Sequence, residues 1–265
     1  MPNELFLTLG DEVLRIDPNT GRALWRTRPA TRIVPAHCHE PGPEFPEILT
    51  ENAHDQRCGV FATDELLVAC NSSPTLMADR LCRVSLPEGR VLQQLPDVQQ
   101  FLAVEDGRIF AIRHGGDSLE LLSRDLRTIW SAKLEPGARA AEMLSSDRWV
   151  AIETRGSDGR ELGLNVYAAD SGKLVWRRRG EDLWGQAAIK GNYLAYYSRE
   201  ELRVAQLPDG PDVPIMQPKQ CWVGVACGGK GSGPIYAFCS RPTLDPPHVL
   251  VSDAVGLHLI EMPRH

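Results

Sequence analysis

The residues with the richest chemistry lie together between Arg28 and Cys58, in RPATRIVPAHCHEPGPEFPEILTENAHDQRC. Within 22 positions this stretch holds His37, Cys38, His39, His54 and Cys58, five of the fourteen His and Cys residues. If residues 37–39 run extended, His37 and His39 project to one side. His54 and Cys58 then complete a tetrahedral set of the N/S kind that zinc accepts. The spacing H-x-H followed by H-x3-C has no C-x-x-C beside it, so a surface loop with scattered histidines is the competing reading. Glu40, Glu44, Glu47, Glu51 and Asp55 would serve a metal-assisted hydrolysis or, equally, solvate a partner-binding loop. Phe45, Ile48 and Leu49 are apolar anchors among these charges, a composition suited to an interface hot spot.

Other candidates are thinner. GVACGGKG, from Gly224 to Gly231, fits G-x4-G-K, yet Gly231 stands where a phosphate loop needs the magnesium-binding hydroxyl of Ser or Thr. It also leads into SGPIYAFC, a turn and strand, where a helix N-terminus should face the phosphate. A Gly-rich hairpin is expected there. Arg177, Arg178 and Arg179 stand side by side in WRRRGED and could grip a phosphate or an acidic partner, or simply be a solvated strand end beside Glu181 and Asp182. No G-x-S-x-G is present, and Asp158, Asp170 and Asp253 have no spacing that specifies a catalytic pair. No catalytic residue is assigned.

The elements that position these groups are short. The chain has 265 residues, 42% hydrophobic and 24% charged, which fits one large globular domain or two small ones. Its net charge of −6 argues against a nucleic-acid partner, which needs a basic face. No apolar run reaches the roughly 20 residues that cross a bilayer, and MPNELFLTLGDEV does not read as a signal peptide. Seven cysteines, several within apolar runs (Cys70, Cys82, Cys239), read as reduced, buried thiols of a cytoplasmic protein.

An internal repeat organises the rest. DPNTGRALW (Asp17 to Trp25) and ADSGKLVW (Ala169 to Trp176) share an Asp-led turn with Gly, a basic residue, and Trp four positions after Gly21 and Gly172. Weaker copies surround positions 89, 126 (ending on Trp130), 210 and 256, giving gaps of 68, 37, 46, 38 and 46. The last four gaps suit four-stranded propeller blades, and the first is one blade plus the Pro-rich insertion at 28–58. Between turns the chain reads as short β-runs: QQFLAVED, RIFAIRH, LELLSRD and TIWSAKL in the third unit, AAEMLSS, RWVAIETR, LGLNVYAAD and KLVWRRR in the fourth, CWVGVACG, PIYAFCS, HVLVSDA and LHLIEM in the sixth. ARAAEML, which has helical composition, fits better as an innermost strand. The first unit offers only three runs. An all-β single domain over 1–265 is expected, a propeller of six four-stranded blades closed by apposition of its N- and C-terminal strands, since an open ring leaves an edge to aggregate.

The L-x-I-D-P-x-T-G-x-x-L-W of residues 14–25 and the V-Y-A-A-D-S-G-K-L-V-W of residues 166–176 resemble the repeat of pyrroloquinoline-quinone (PQQ)-like, WD-repeat-like β-propellers. The resemblance implies that Trp25, Trp130 and Trp176 pack between adjacent blades. It does not carry the quinone, because the chain has no adjacent cysteine pair and too few residues for eight blades. It implies a scaffold that binds another protein; taken with the cysteine, hydropathy and charge readings above, the expectation is a cytoplasmic assembly with no membrane or nucleic-acid partner and no cofactor. A small-molecule binder or metal-assisted enzyme using the central face is the alternative.

Overall fold

The structure, a computed structural model, describes residues 5–9, 12–17, 19–28, 32–33, 58–62, 65–71, 80–103, 107–113, 115, 117–156, 162–180, 183, 187–198, 201–217, 242–252 and 257–262. Among the described residues every regular element is a β-strand and every strand pair is antiparallel, as an all-β reading requires. The helical-looking ARAAEML lies in a strand. The chain divides into two compact units, Met1–Leu134 and Glu135–His265.

Among the described residues the first unit holds three sheets. One joins β1 (Leu5–Leu9), β2 (Glu12–Ile16) and β3 (Ala23–Thr27). The next contains β4 (Arg32–Ile33), β5 (Cys58–Ala62), β6 (Glu65–Asn71), β7 (Arg80–Ser85) and β8 (Val91–Pro96). The third runs through β9 (Val98–Ala103), β10 (Ile109–Arg113), β11 (Ser118–Leu122) and β12 (Thr128–Lys133).

The second unit also holds three. β13 (Arg139–Ser145), β14 (Trp149–Arg155), β15 (Leu162–Ala168) and β16 (Leu174–Gly180) form a meander. So do β17 (Ala188–Lys190), β18 (Tyr193–Ser198), β19 (Glu201–Gln206) and β20 (Asp212–Met216). The last sheet is β21 (Thr243–Asp245), β22 (His248–Ser252) and β23 (Leu257–Glu261).

The central strands β6 and β18 are apolar on both faces because each lies between two neighbouring sheets of its own unit. In β6, Leu66 and Val68 join Val13, Val84 and Leu86 on one side, while Leu67 joins Leu81, Val98, Phe101 and Ile109 on the other. In β18, Leu194 and Tyr196 pack with Leu164 and Val166, and Ala195 and Tyr197 with Val249 and Val251. The two-residue period of side-chain direction thus splits each central strand between two cores.

Four hairpins close on one recurring hydrogen bond, and a fifth on a shorter one. Gly21, Gly89, Gly172 and Gly210 each donate their N–H to the carbonyl four residues back, on Asp17, Ser85, Ala168 and Gln206. At the fifth, Leu126 donates to Ser123 and takes a φ of 52° without being glycine. Such a conformation is costly for a bulky residue; here the Leu126 side chain is buried with Leu67, Leu81 and Leu122, which offsets it. A register shift marks each of the five hairpins. Position 256 lies outside the described residues; the strands on either side of it, β22 and β23, pair without a register shift. The short strand Thr243–Asp245 is absent from the sequence reading, while CWVGVACG and PIYAFCS lie outside the described residues.

Two further readings change. The expectation of reduced thiols is corrected at Cys82, which is buried and disulfide-bonded. The insertion, expected between repeats, begins and ends within a strand position. Ile33 stands opposite Cys70 and Cys58 opposite Val68, both on the β6 edge that faces away from β7. The first strand of this sheet is therefore split, and residues 34–57 leave and rejoin the ladder two positions apart.

Candidate interaction surface

The Arg177–Arg178–Arg179 run sits on β16, the outermost strand of its sheet. Successive strand residues point to opposite faces, so three neighbours in sequence become two and one in space. Arg177 and Arg179, both exposed, flank the Glu135 carboxylate. Arg178 turns the other way, toward the next sheet. Its Nη2 donates to Ser198 Oγ at 2.9 Å and its Nη1 to Asp212 Oδ2 at 3.3 Å. Its guanidinium also lies 5.6 Å from the centroid of the Tyr196 ring.

Asp212 is the hub of this network. It accepts the Tyr196 hydroxyl at 2.6 Å and Arg203 Nε at 3.0 Å, while Arg203 Nη1 donates to Glu201 at 2.8 Å. Burial, with the Asp212 carboxylate beside it, pushes the Tyr196 phenol well above its ordinary value. The same carboxylate raises Arg203, against the opposing effect of burial. Chemically the network is a neutral tie between two sheets, with its charges already matched.

The tryptophans make related contacts. The Trp25 indole N–H donates to the Leu86 carbonyl in the next sheet, and a Cβ on Gly89 would lie 2.8 Å from the Trp25 ring. The Trp176 and Tyr196 ring centroids are 5.5 Å apart across two sheets. Trp130 meets Phe110 of its own sheet, centroids 6.1 Å apart. Gly21 and Gly172 occupy the left-handed region of their turns, at φ 67° and 68°.

A second ion cluster joins the second and third sheets of the first unit. Glu65 accepts Arg83 Nη2 at 2.7 Å and Nε at 3.2 Å, and Arg124 Nε at 3.4 Å. Arg83 Nη1 reaches Gln93 at 3.0 Å and Asp125 at 3.4 Å. Burial alone would raise the Glu65 carboxyl, but the hydrogen bonds from Arg83 and Arg124 outweigh it and hold the group below its ordinary value.

His37, His39, His54, Phe45, Ile48 and Leu49 lie outside the described residues, as does the side chain of Cys58. Among the described residues no three His, Cys, Asp or Glu side chains gather as a metal site. Sequence reading missed Arg139 and Arg155, which stand directly opposite each other across β13 and β14. They are 16 positions apart, and only the hairpin register brings them together.

No family model matches the chain, and no curated protein matches it. Solved structures do resemble it. The WD40 domain of Neurospora crassa Pan2 superposes with a TM-score of 0.51 at 12% identity, over 99% of this chain and 75% of that one. Dihydro-heme d1 dehydrogenase NirN, in complex with DHE, gives 0.51 at 17% identity, over 98% of this chain and 53% of its own. Kluyvelomyces marxianus Hsv2 is looser, at 0.48 and 10% identity, over 78% of this chain and 56% of that one. The chain thus spans little more than half the length of two of these three proteins. At such identities the likeness is one of fold, and by fold this chain is a β-propeller protein.

Proposed function

We propose that this chain is a non-enzymatic propeller scaffold: a single domain of six blades, closed by apposition of its N- and C-terminal strands, that engages another protein within a larger assembly. The observation that carries the reading is the split strand of the second sheet. Ile33 and Cys58 are both held on the edge of β6, so a rigid ladder anchors both ends of residues 34–57. That segment carries Phe45, Ile48 and Leu49 among acidic residues. Loops of this length in compact domains are commonly binding elements. The exposed Arg177 and Arg179 offer a further polar contact.

Native mass spectrometry of the protein isolated from its own host tests the proposal. The full chain should carry a stoichiometric second protein, and a chain with residues 34–57 replaced by a short Gly-Ser linker should not. A mass equal to the chain plus one metal ion or small ligand, or a partner held equally by the shortened chain, overturns it.

A further inference from the structure

Among the described residues eight strand pairings carry a register shift, and in each the extra residue lies on an edge strand of its sheet. Three are on the first-edge strands β5, β9 and β13. The other five are on the last strand of a sheet: Leu24 of β3, Leu92 of β8, Ile129 of β12, Val175 of β16 and Ile215 of β20. The interior pairings β6–β7, β10–β11, β14–β15 and β18–β19 have no shift. Leu24, Leu92, Ile129 and Val175 each follow the turn residue by three positions, so the sequence repeat itself places them. Leu24, Leu92 and Ile129 are 57%, 39% and 60% exposed, so packing of the extra side chain does not account for the shift.

An edge strand presents backbone N–H and C=O groups on which a foreign strand can form. An extra residue interrupts that row and bends the strand. The same five last strands carry two further obstacles to pairing. Arg26, Lys133 and Arg177 put a cation on β3, β12 and β16, and Pro96 and Pro214 remove an N–H from β8 and β20. Edge strands without an extra residue are either two or three residues long (β4, β17 and β21) or the terminal strands β1 and β23. We propose that the extra residues are guards that close these edges to strand addition, so that a partner engages side chains and the inserted segment and adds no strand to β3, β8, β12, β16 or β20. The clause about partners rests on the scaffold reading; the guards do not.

Deleting Ile129 from the full chain makes the β11–β12 ladder continuous, and deleting Leu92 does the same for β7–β8. Each deletion variant should self-associate about ten-fold or more tightly than wild type in sedimentation velocity. Hydrogen exchange along β12 or β8 should slow as it does so. Ile129→Ser, which keeps the extra residue, should sediment as wild type does. The proposal is overturned by a folded deletion variant that associates no more than wild type, or by equal association of Ile129→Ser. Loss of cooperative melting in both deletions also overturns it, because the extra residue then serves the fold and not the edge; where one deletion folds, that one decides. A host partner that slows exchange along the edge of one of the five strands in wild type overturns the clause about partners. Loss of that partner when residues 34–57 are replaced bears on the scaffold reading alone, and failure of the deletions leaves that reading standing.

Discussion

Removing the Glu65 carboxylate should destabilise the first unit more than any other single side-chain truncation at an ion pair. The side chains of Glu65 and Arg83 are only 9% and 10% exposed, and their contact is two-pronged, at 2.7 and 3.2 Å. Deleting one partner of such a pair strands the other charge away from water, which costs about 3–5 kcal/mol. For a chain of this size each kcal/mol lowers the melting temperature by about 2–4 °C, so Glu65→Ala should melt roughly 6–20 °C early. Replacing both partners by apolar residues, Glu65→Leu with Arg83→Met, removes the stranded charge and should recover most of the loss. Gln93 and Asp125, which also bind Arg83, keep the recovery from being complete. Thermal and urea unfolding of wild type, both single variants and the double variant provide the cycle. Additive effects, or a loss below about 1 kcal/mol for Glu65→Ala, would refute the account of a desolvated, mutually dependent pair. The sign with pH is fixed as well. Because the folded carboxyl lies below its ordinary value of 4.5, its contribution is whole above that pH and is lost as the pH falls through the folded value.

Other outcomes follow from the same reasoning. Tyr196 has the opposite sense: its folded phenol lies above the ordinary value of 10.0, so stability should decline as pH rises past that point. Tyr196→Phe should flatten the alkaline limb of a melting-temperature profile, and an unchanged limb would count against the Asp212 contact. Gly21 and Gly89 share a φ of 67°, but an added Cβ meets open space at Gly21 and the Trp25 ring at Gly89. Gly89→Ala should therefore cost more in urea unfolding than Gly21→Ala, and the excess should vanish in a Trp25→Ala background. Asn165 is only 1% exposed and neither atom of its amide has a hydrogen-bond partner among the described residues. Asn165→Leu should stabilise the fold by about 1–3 kcal/mol of recovered desolvation, read as a higher melting temperature, whereas a clear loss would refute the account of an unpartnered amide.

The turns were the legible part of the sequence. The Gly-led motif recurs because one hydrogen-bond arrangement recurs at four hairpins, and the weaker copy still locates a fifth, where Leu126 closes a shorter turn in place of glycine. The strands flanking them were readable as apolar runs, although burial on both faces hides the usual alternation in β6 and β18. Other features depend on register, which no local pattern encodes. A two-residue strand at Arg32–Ile33 has no periodicity to detect, so the split strand was invisible. Thr243–Asp245 is three residues long and runs into Pro246 and Pro247, which read as a loop. The arginine run of β16 looked like one patch because sequence neighbours look adjacent, while Arg139 and Arg155 looked unrelated for the converse reason.

The split strand also bears on how such a protein can change over evolutionary time. Ile33 and Cys58 keep their partners on β6 however many residues lie between them. Lengthening a closed loop is cheap, about 0.6 kcal/mol for each doubling, and no downstream strand must slip to accommodate it. Residues 34–57 can therefore diverge, grow or be exchanged while every other ladder keeps its register. A lineage could re-target the molecule by rewriting one segment, and a designer could graft a foreign binding peptide at the same seam.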